Sequence, residues 1–326
     1  QTGAPEALEG VTQYPAAVLL AEARRRGMDP LTRRLEPLLT SPEGFGLTTA
    51  TSVQRAICRV ADGLPLGPLA QDPLVSEALG CNPALVPATR PKMLGIFSGI
   101  RTAKSLITSA LALRASQIVD VSRLGAGEIP RVSVLSLRRD LADVVLDHLR
   151  GNLGKPSLSW LLAAPPTSDS VLVRHPSGRP VEIQVVAGSR AGSSVVARWS
   201  AGIILDEAPR MNGSEDGVVN LDDVLHAGLG RLLPGAQIVA LGSPWAPFGP
   251  VFRMVTDRFG RPGEDLVIFW CPATSMNPYW WTPERCAERQ ASDPVAYRTD
   301  VLAQCADSIS GMFSEDLLDG CTRRGQ

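Results

Sequence analysis

The chain has 326 residues, a formal net charge of −1, and 44% hydrophobic against 20% charged residues. That length suits one large or two modest domains with a sizeable buried core, and the composition is that of an ordinary soluble globular protein. The near-neutral balance excludes a whole-surface attraction to nucleic acid, so any such contact is a local patch. Six cysteines (Cys58, Cys81, Cys271, Cys286, Cys305 and Cys321) form no CxxC and stand beside only three histidines, which argues against a zinc site and fits reduced thiols in a cytoplasm. No run of about 18 apolar residues exists, which argues against a membrane-spanning helix. The first residue is Gln1, so a removed leader stays open.

Residues 1–45 read as mixed helix and loop. Helical spacing over 16–26 ends in Arg24, Arg25 and Arg26, either a solvated helix end or a contact for DNA or a subunit. A helix is predicted over 52–62, where Val53, Ile57 and Val60 share one face. The stretch 63–91 is rich in Pro and Gly and predicts an irregular connector. From 91 to 270 strand and helix signals alternate. Strands are predicted at 93–97, 131–136, 202–205, 236–241 and 266–270, and helices at 104–115, 138–150 and 221–233. Segments 171–174 and 181–186 flank Pro176, Ser177 and Gly178, which predicts a hairpin. Strands separated by helices predict an α/β fold whose mostly parallel, twisted sheet is covered on both faces. Beyond 270 a Pro-punctuated loop leads to helices predicted at 283–292 and 294–304, a small helical appendage.

Two motifs carry chemistry. Ser98, Gly99, Ile100, Arg101, Thr102, Ala103, Lys104 and Ser105 occupy the places of the phosphate loop GxxxxGK[ST], with Ser98 and Ala103 where the glycines stand. The pattern fails as a string and holds as physics. An apolar strand runs into a turn containing Gly99, and a helix opens at Lys104 and Ser105 with its N–H groups and dipole facing an anion. Lys104 can reach terminal phosphates and the Ser105 hydroxyl can bind Mg²⁺; a plain strand–turn–helix with a surface lysine is the bland reading. Ala103 resists the positive φ that a glycine there accepts. The second motif is the apolar run 201–205 ending in Asp206 and Glu207. Ligands sit at the carboxyl ends of parallel strands, which places Asp206 beside Ser105 to hold Mg²⁺ and leaves Glu207 to polarise an attacking water. Gly242, Ser243 and Pro244, after the strand predicted at 236–241, fit either a γ-phosphate sensor or a simple Gly-Pro turn.

With these segments in this order, the sequence resembles the ATPase domain of the large terminase subunit, the motor that packages DNA into tailed-phage proheads. The resemblance rests on TSVQR at 51–55 with Asp62 and Gly63, on 98–105, on VLSLRRDLA at 134–142, on IILDEAPRM at 203–211 and on 241–244. MNPYW at 276–280 and DPVAYRTDVLAQ at 293–304 add to it, and together the segments span roughly 46–320. Arg101 inside the loop matches the family's habit of carrying an arginine there; Ala103 departs from it.

The resemblance implies a RecA-like, ASCE-type P-loop NTPase core over 46–270. Residues 1–45 would be an N-terminal helical and irregular segment, and 271–326 a helical lid or linker. No strand ending in an isolated Asp follows residue 320, so the family's nuclease domain is expected to be absent. It further implies ATP and Mg²⁺ as cofactors. Gln54 would be the adenine-side contact, with an exposed helix position as its bland alternative. Ser98 through Ser105 would hold nucleotide, and Ser105 and Asp206 metal. Glu207, Lys104 and Arg101 would act in hydrolysis, Gly242, Ser243 and Pro244 in coupling, and Arg198 as an arginine reaching a neighbouring subunit or as a surface cation. The implied partners are double-stranded DNA, contacted at phosphates without sequence preference, the phage portal and the small terminase subunit. The implied state is a homo-oligomeric ring in the cytoplasm of the infected host, with no membrane. Two rivals stay open: another P-loop translocase or helicase, which a second motor domain would favour, and a degenerate P-loop serving assembly without turnover, which the missing glycines would favour.

Overall fold

The computed structural model describes residues 30–187, 198–211 and 220–306. Its centre is a seven-stranded sheet of β1 (Met93–Ser98), β2 (Arg131–Ser136), β3 (Ser170–Arg174), β4 (Pro180–Ala187), β5 (Ser200–Asp206), β6 (Ile238–Gly242) and β7 (Leu266–Cys271). The spatial order is β3-β4-β2-β5-β6-β1-β7. Every neighbouring pair is parallel except β3–β4, the antiparallel hairpin predicted from its turn residues. The arginine cluster at 24–26 and everything beyond 306 lie outside the described residues.

Strands β1, β5, β6 and β7 are nearly continuous apolar runs because both faces are covered. Along β6, Ile238 and Ala240 enter one core while Val239 and Leu241 enter the other. Along β7, Leu266 and Ile268 alternate with Val267 and Phe269 in the same way. The first core holds the helices Ser52–Ala61, Lys104–Ile118 and Arg139–Leu153; the second is closed by residues of Leu221–Leu229 and Pro250–Arg258. Leu35, Leu38 and Leu39, on a short helix before the sheet, are wholly buried in the first core. No described helix is long and apolar enough to cross a membrane.

The region predicted as an irregular connector holds a helix, Pro73–Leu79. Asp72 caps it, Pro73 sits in the first turn where its missing N–H costs nothing, and Gly80 ends it at φ 66°. Its prolines and glycines are helix punctuation as well as turn signals. The helix predicted over 221–233 stops at Leu229, and that predicted over 294–304 stops at Asp300. Pro250–Arg258, opened by its proline, was not anticipated.

The C-terminal end of the helix Ser52–Ala61 is locked to the helix Lys104–Ile118 by a buried ion pair. Arg114 Nη2 lies 2.5 Å from Asp62 Oδ1, and the two side chains are 4% and 1% exposed. Asp62 Oδ2 also accepts the Leu35 N–H at 2.7 Å. Burial pushes the Asp62 carboxyl up and lowers Arg114 to about 10, so desolvation outweighs their attraction in both. Such a pair adds little over an apolar replacement, but removing one partner strands the other. Arg114→Ala is therefore expected to destabilise by about 3–5 kcal/mol in urea unfolding, with Asp62→Asn/Arg114→Met recovering most of the loss. Equal stability of the single variant and wild type would contradict this.

Candidate nucleotide site

The register of the central strands sets the site. Phe97 is paired with Gly242, and Leu241 with Asp206, so the tips of β1, β6 and β5 end level at one edge of the sheet. Neighbouring strands are about 4.8 Å apart, which leaves Asp206 roughly 10 Å from the start of the phosphate loop.

The loop after β1 turns through two left-handed residues, Arg101 (φ 59°) and Ala103 (φ 64°). Ala103 directly precedes the helix Lys104–Ile118 and adopts the conformation that glycine favours, despite its Cβ. Thr102, 1% exposed, donates its hydroxyl to the Gly99 carbonyl at 3.1 Å and stands 3.0 Å from Ser98 Oγ. Gly99 has no room for a side chain, since a Cβ there would fall on the Asp300 carbonyl.

Lys104 lies along this loop. Its ammonium donates to the carbonyls of Gly99 (2.5 Å) and Ser98 (3.2 Å), and to the hydroxyls of Thr102 (3.3 Å) and Ser243 (3.2 Å). Burial lowers its pKa, opposed by the nearby charges of Glu207 and Asp206. Asp206, 5% exposed, is pushed up to about 7, first by burial and then by Glu207, with Lys104 pulling the other way. Glu207 follows at φ 57° and lies 3.8 Å from the Arg210 guanidinium. A Cβ on Gly242 would meet Pro209 Cδ at 2.6 Å and Glu207 Cα at 3.0 Å, so the tip of β6 bears directly on the Glu207 turn.

Lys104, Glu207 and Ser243 border a cavity of about 570 Å³, while Asp206, one residue before Glu207, is buried and off its lining. Glu207 and Ser243 stand on it, Arg101 through Leu106 form its floor, and Val144, His148, Asn277 and Trp280 complete the wall. Its size suits a small-molecule cofactor. A hollow of similar volume, about 580 Å³, opens at the opposite edge of the sheet among Val119, His175 and Arg179, remote from both motifs.

The predicted residues divide clearly. Ser98 through Ser105, Asp206, Glu207 and Ser243 are brought together, and Gly242 and Pro244 are buried beside them. Gln54 reaches the loop from behind. It is 2% exposed, its Oε1 accepts the Thr51 N–H (3.0 Å) in a capping box, and its Nε2 donates to the Thr102 carbonyl (3.2 Å). Arg198 stands apart, just before β5 begins at Ser200, and pairs with Glu182 at 3.2 Å. At about 3.3 Å per residue it lies some 25 Å from Asp206, out of reach of this subunit's own cavity.

The segment after β7, which the resemblance makes a lid or linker, grips the loop from outside. Ile100 donates its N–H to the Asp300 carbonyl (2.7 Å) and accepts from Trp281 Nε1 (2.9 Å). The Arg101 carbonyl accepts from Asn277 Nδ2 at 2.7 Å, and its guanidinium lies 5.6 Å from the Trp280 ring. The MNPYW string at 276–280, which holds Asn277 and Trp280, and the string at 293–304, which holds Asp300, were the signals available.

No family model matches the sequence, and no curated protein is similar to it. Solved structures are. The large terminase of bacteriophage HK97 superposes with a TM-score of 0.51 at 15% identity, over 78% of this chain and 55% of that one. The large terminase of the thermophilic bacteriophage D6E gives 0.50 at 13% identity, over 69% and 52%. The ATPase domain of the Thermus phage P74-26 large terminase gives 0.47 at 15%, over 72% and 98%. The fold is that of a P-loop NTPase, with a mostly parallel sheet flanked by helices. Within that class the chain has the fold of a terminase-like ATPase domain, and it spans about half the length of the HK97 and D6E terminases.

A left-handed non-glycine costs about 1–2 kcal/mol, so Ala103→Gly is expected to gain about 1 kcal/mol in urea unfolding; a loss of stability would show that the Ala103 methyl is needed. The Asp206 carboxyl binds protons more tightly folded than unfolded. Its contribution to stability is therefore complete below its ordinary value of 3.8 and lost as pH rises to about 7. In divalent-free buffer Asp206→Asn should match wild type near pH 4 and exceed it by on the order of 3–4 kcal/mol near pH 8. A gain independent of pH would refute this.

Proposed function

We propose that this chain is the ATP-hydrolysing motor domain of a phage large terminase, turning over ATP with Mg²⁺ to drive double-stranded DNA into a prohead. What carries the reading is the convergence, at three level strand tips, of a lysine-bearing loop, a buried Asp and an adjacent Glu.

Lys104 would exchange its loop carbonyls for phosphate oxygens of the nucleotide. The Ser105 hydroxyl on the cavity and the Asp206 carboxylate buried at the tip of β5 are hard oxygen donors, the kind of partial set that Mg²⁺ takes together with substrate phosphates and water. Among the described residues no cluster of three or more His, Cys, Asp or Glu side chains forms a dedicated metal cage. The ion would supply charge neutralisation of the phosphates. Glu207 orients a water for in-line attack on the γ-phosphorus and accepts its proton as the bond to the bridging oxygen breaks, leaving ADP and phosphate. Arg101 neutralises charge on the phosphoryl oxygens from within the loop. Arg198 could serve only a neighbouring subunit's site, which fits a homo-oligomeric ring. Ser243 lies against Lys104 and Gly242 against the Glu207 turn, with Pro244 next in the chain, so a shift of either would be passed to β6. Duplex DNA held at phosphates, the portal, the small terminase subunit and the infected host's cytoplasm complete this reading.

The test is Mg²⁺-dependent phosphate release across a range of protein concentrations. Lys104→Ala and Glu207→Gln are each expected to lower kcat by at least about 10²-fold, with wild-type turnover rising faster than concentration if the ring completes the site. Nucleotide binding without turnover in any state would favour an assembly module, and equal turnover in all three proteins would place the active site elsewhere.

A further inference from the structure

The cavity crosses the sheet edge in a definite order. Glu207 follows β5, Ser243 follows β6, the phosphate loop follows β1, and Asn277 and Trp280 follow β7, which is the spatial order of those strands. If the terminal phosphate lies between Lys104 and Glu207, the other end of the nucleotide points toward Trp280. Gln54 offers little there, because both ends of its amide are engaged and it is 2% exposed. Asn277 is likewise occupied by the Arg101 carbonyl and the Trp280 N–H.

Trp280 is different. Its backbone is fixed, with its N–H on Asn277 and its carbonyl accepting Arg285 Nη1 at 3.2 Å. The Arg285 guanidinium packs 4.2 Å from the ring centroid, yet the residue remains 43% exposed on the cavity wall. Its second cation, Arg101, is held loosely at 5.6 Å, near the outer limit of a cation–π contact. Arg101 also sits in the phosphate loop, where an arriving triphosphate would draw it away.

We infer that Trp280 is the nucleobase platform of this site, its indole face exchanging the Arg101 guanidinium for the base when nucleotide binds. The inference rests on the nucleotide reading above. Stacking on an aromatic face is indifferent to the base edge, so affinity comes without a dedicated hydrogen-bonding pocket.

Calorimetric binding of ADP and of inorganic tripolyphosphate, which has no base, separates this from a structural role. Trp280→Ala is expected to weaken ADP about 10- to 100-fold and leave tripolyphosphate within about threefold, with Trp280→Phe restoring ADP binding. Equal weakening of both ligands would mean that Trp280 only braces the loop, and unchanged ADP affinity would place the base elsewhere; either overturns the inference while leaving the phosphate site intact. Failure of wild type to bind either ligand would instead remove the nucleotide reading beneath it.

Discussion

The site depends on the parallel register of β5, β6 and β1. Because side chains alternate with period two, sliding β5 by one residue would send Ile203 and Leu205 into the core that now holds Ile204, and would turn Asp206 to the other face. Both faces of these strands are covered, so neither slip is available without exposing or overpacking a core. The position of the buried acid relative to the phosphate loop is thus fixed by apolar packing well below it, and the chemistry inherits the rigidity of the sheet.

Above the sheet, precision comes from strain that its neighbours hold in place. Arg101, Ala103 and Glu207 are left-handed residues on one cavity, and each such conformation costs on the order of 1–3 kcal/mol. They persist because contacts converge on them. Gln54 and Asn277 take the carbonyls of Thr102 and Arg101, Asp300 and Trp281 take the two backbone groups of Ile100, and Gly99 and Gly242 allow approaches that a Cβ would block. The loop is held from behind by the helix Ser52–Ala61 and from outside by the segment after β7. A change in either support would be felt at Lys104.

Much of this was legible in the sequence, for identifiable reasons. The strands announced themselves as short apolar runs, and the acid pair and lysine sat where parallel topology gathers strand tips. The Gly63-to-Pro91 stretch misled because proline at a helix start and glycine at its end read as turn signals when taken singly. Gln54 carried a local signature that was overlooked: Thr51 three residues before a glutamine is a capping box, which ties up its carbonyl oxygen. The grip of Asn277, Trp281 and Asp300 on the loop had no comparable signature, because it runs largely through backbone carbonyls across some two hundred residues of sequence.

The charges around Lys104 bear on how the proposed nucleotide would be held, and would suit it only together with a cation. One ammonium faces two carboxylates, and its donors are spread over two carbonyls and two hydroxyls, more acceptors than three N–H groups can satisfy well. Asp206 responds by holding a proton to about pH 7, so at neutral pH the buried cluster sits between two protonation states. A nucleotide arriving with a divalent cation would give Lys104 stronger acceptors and give Asp206 a positive partner that opposes the burial raising its pKa. The same burial that makes the carboxylate costly in isolation would then strengthen its attraction to the ion, so ligand binding and carboxyl ionisation should be tightly linked.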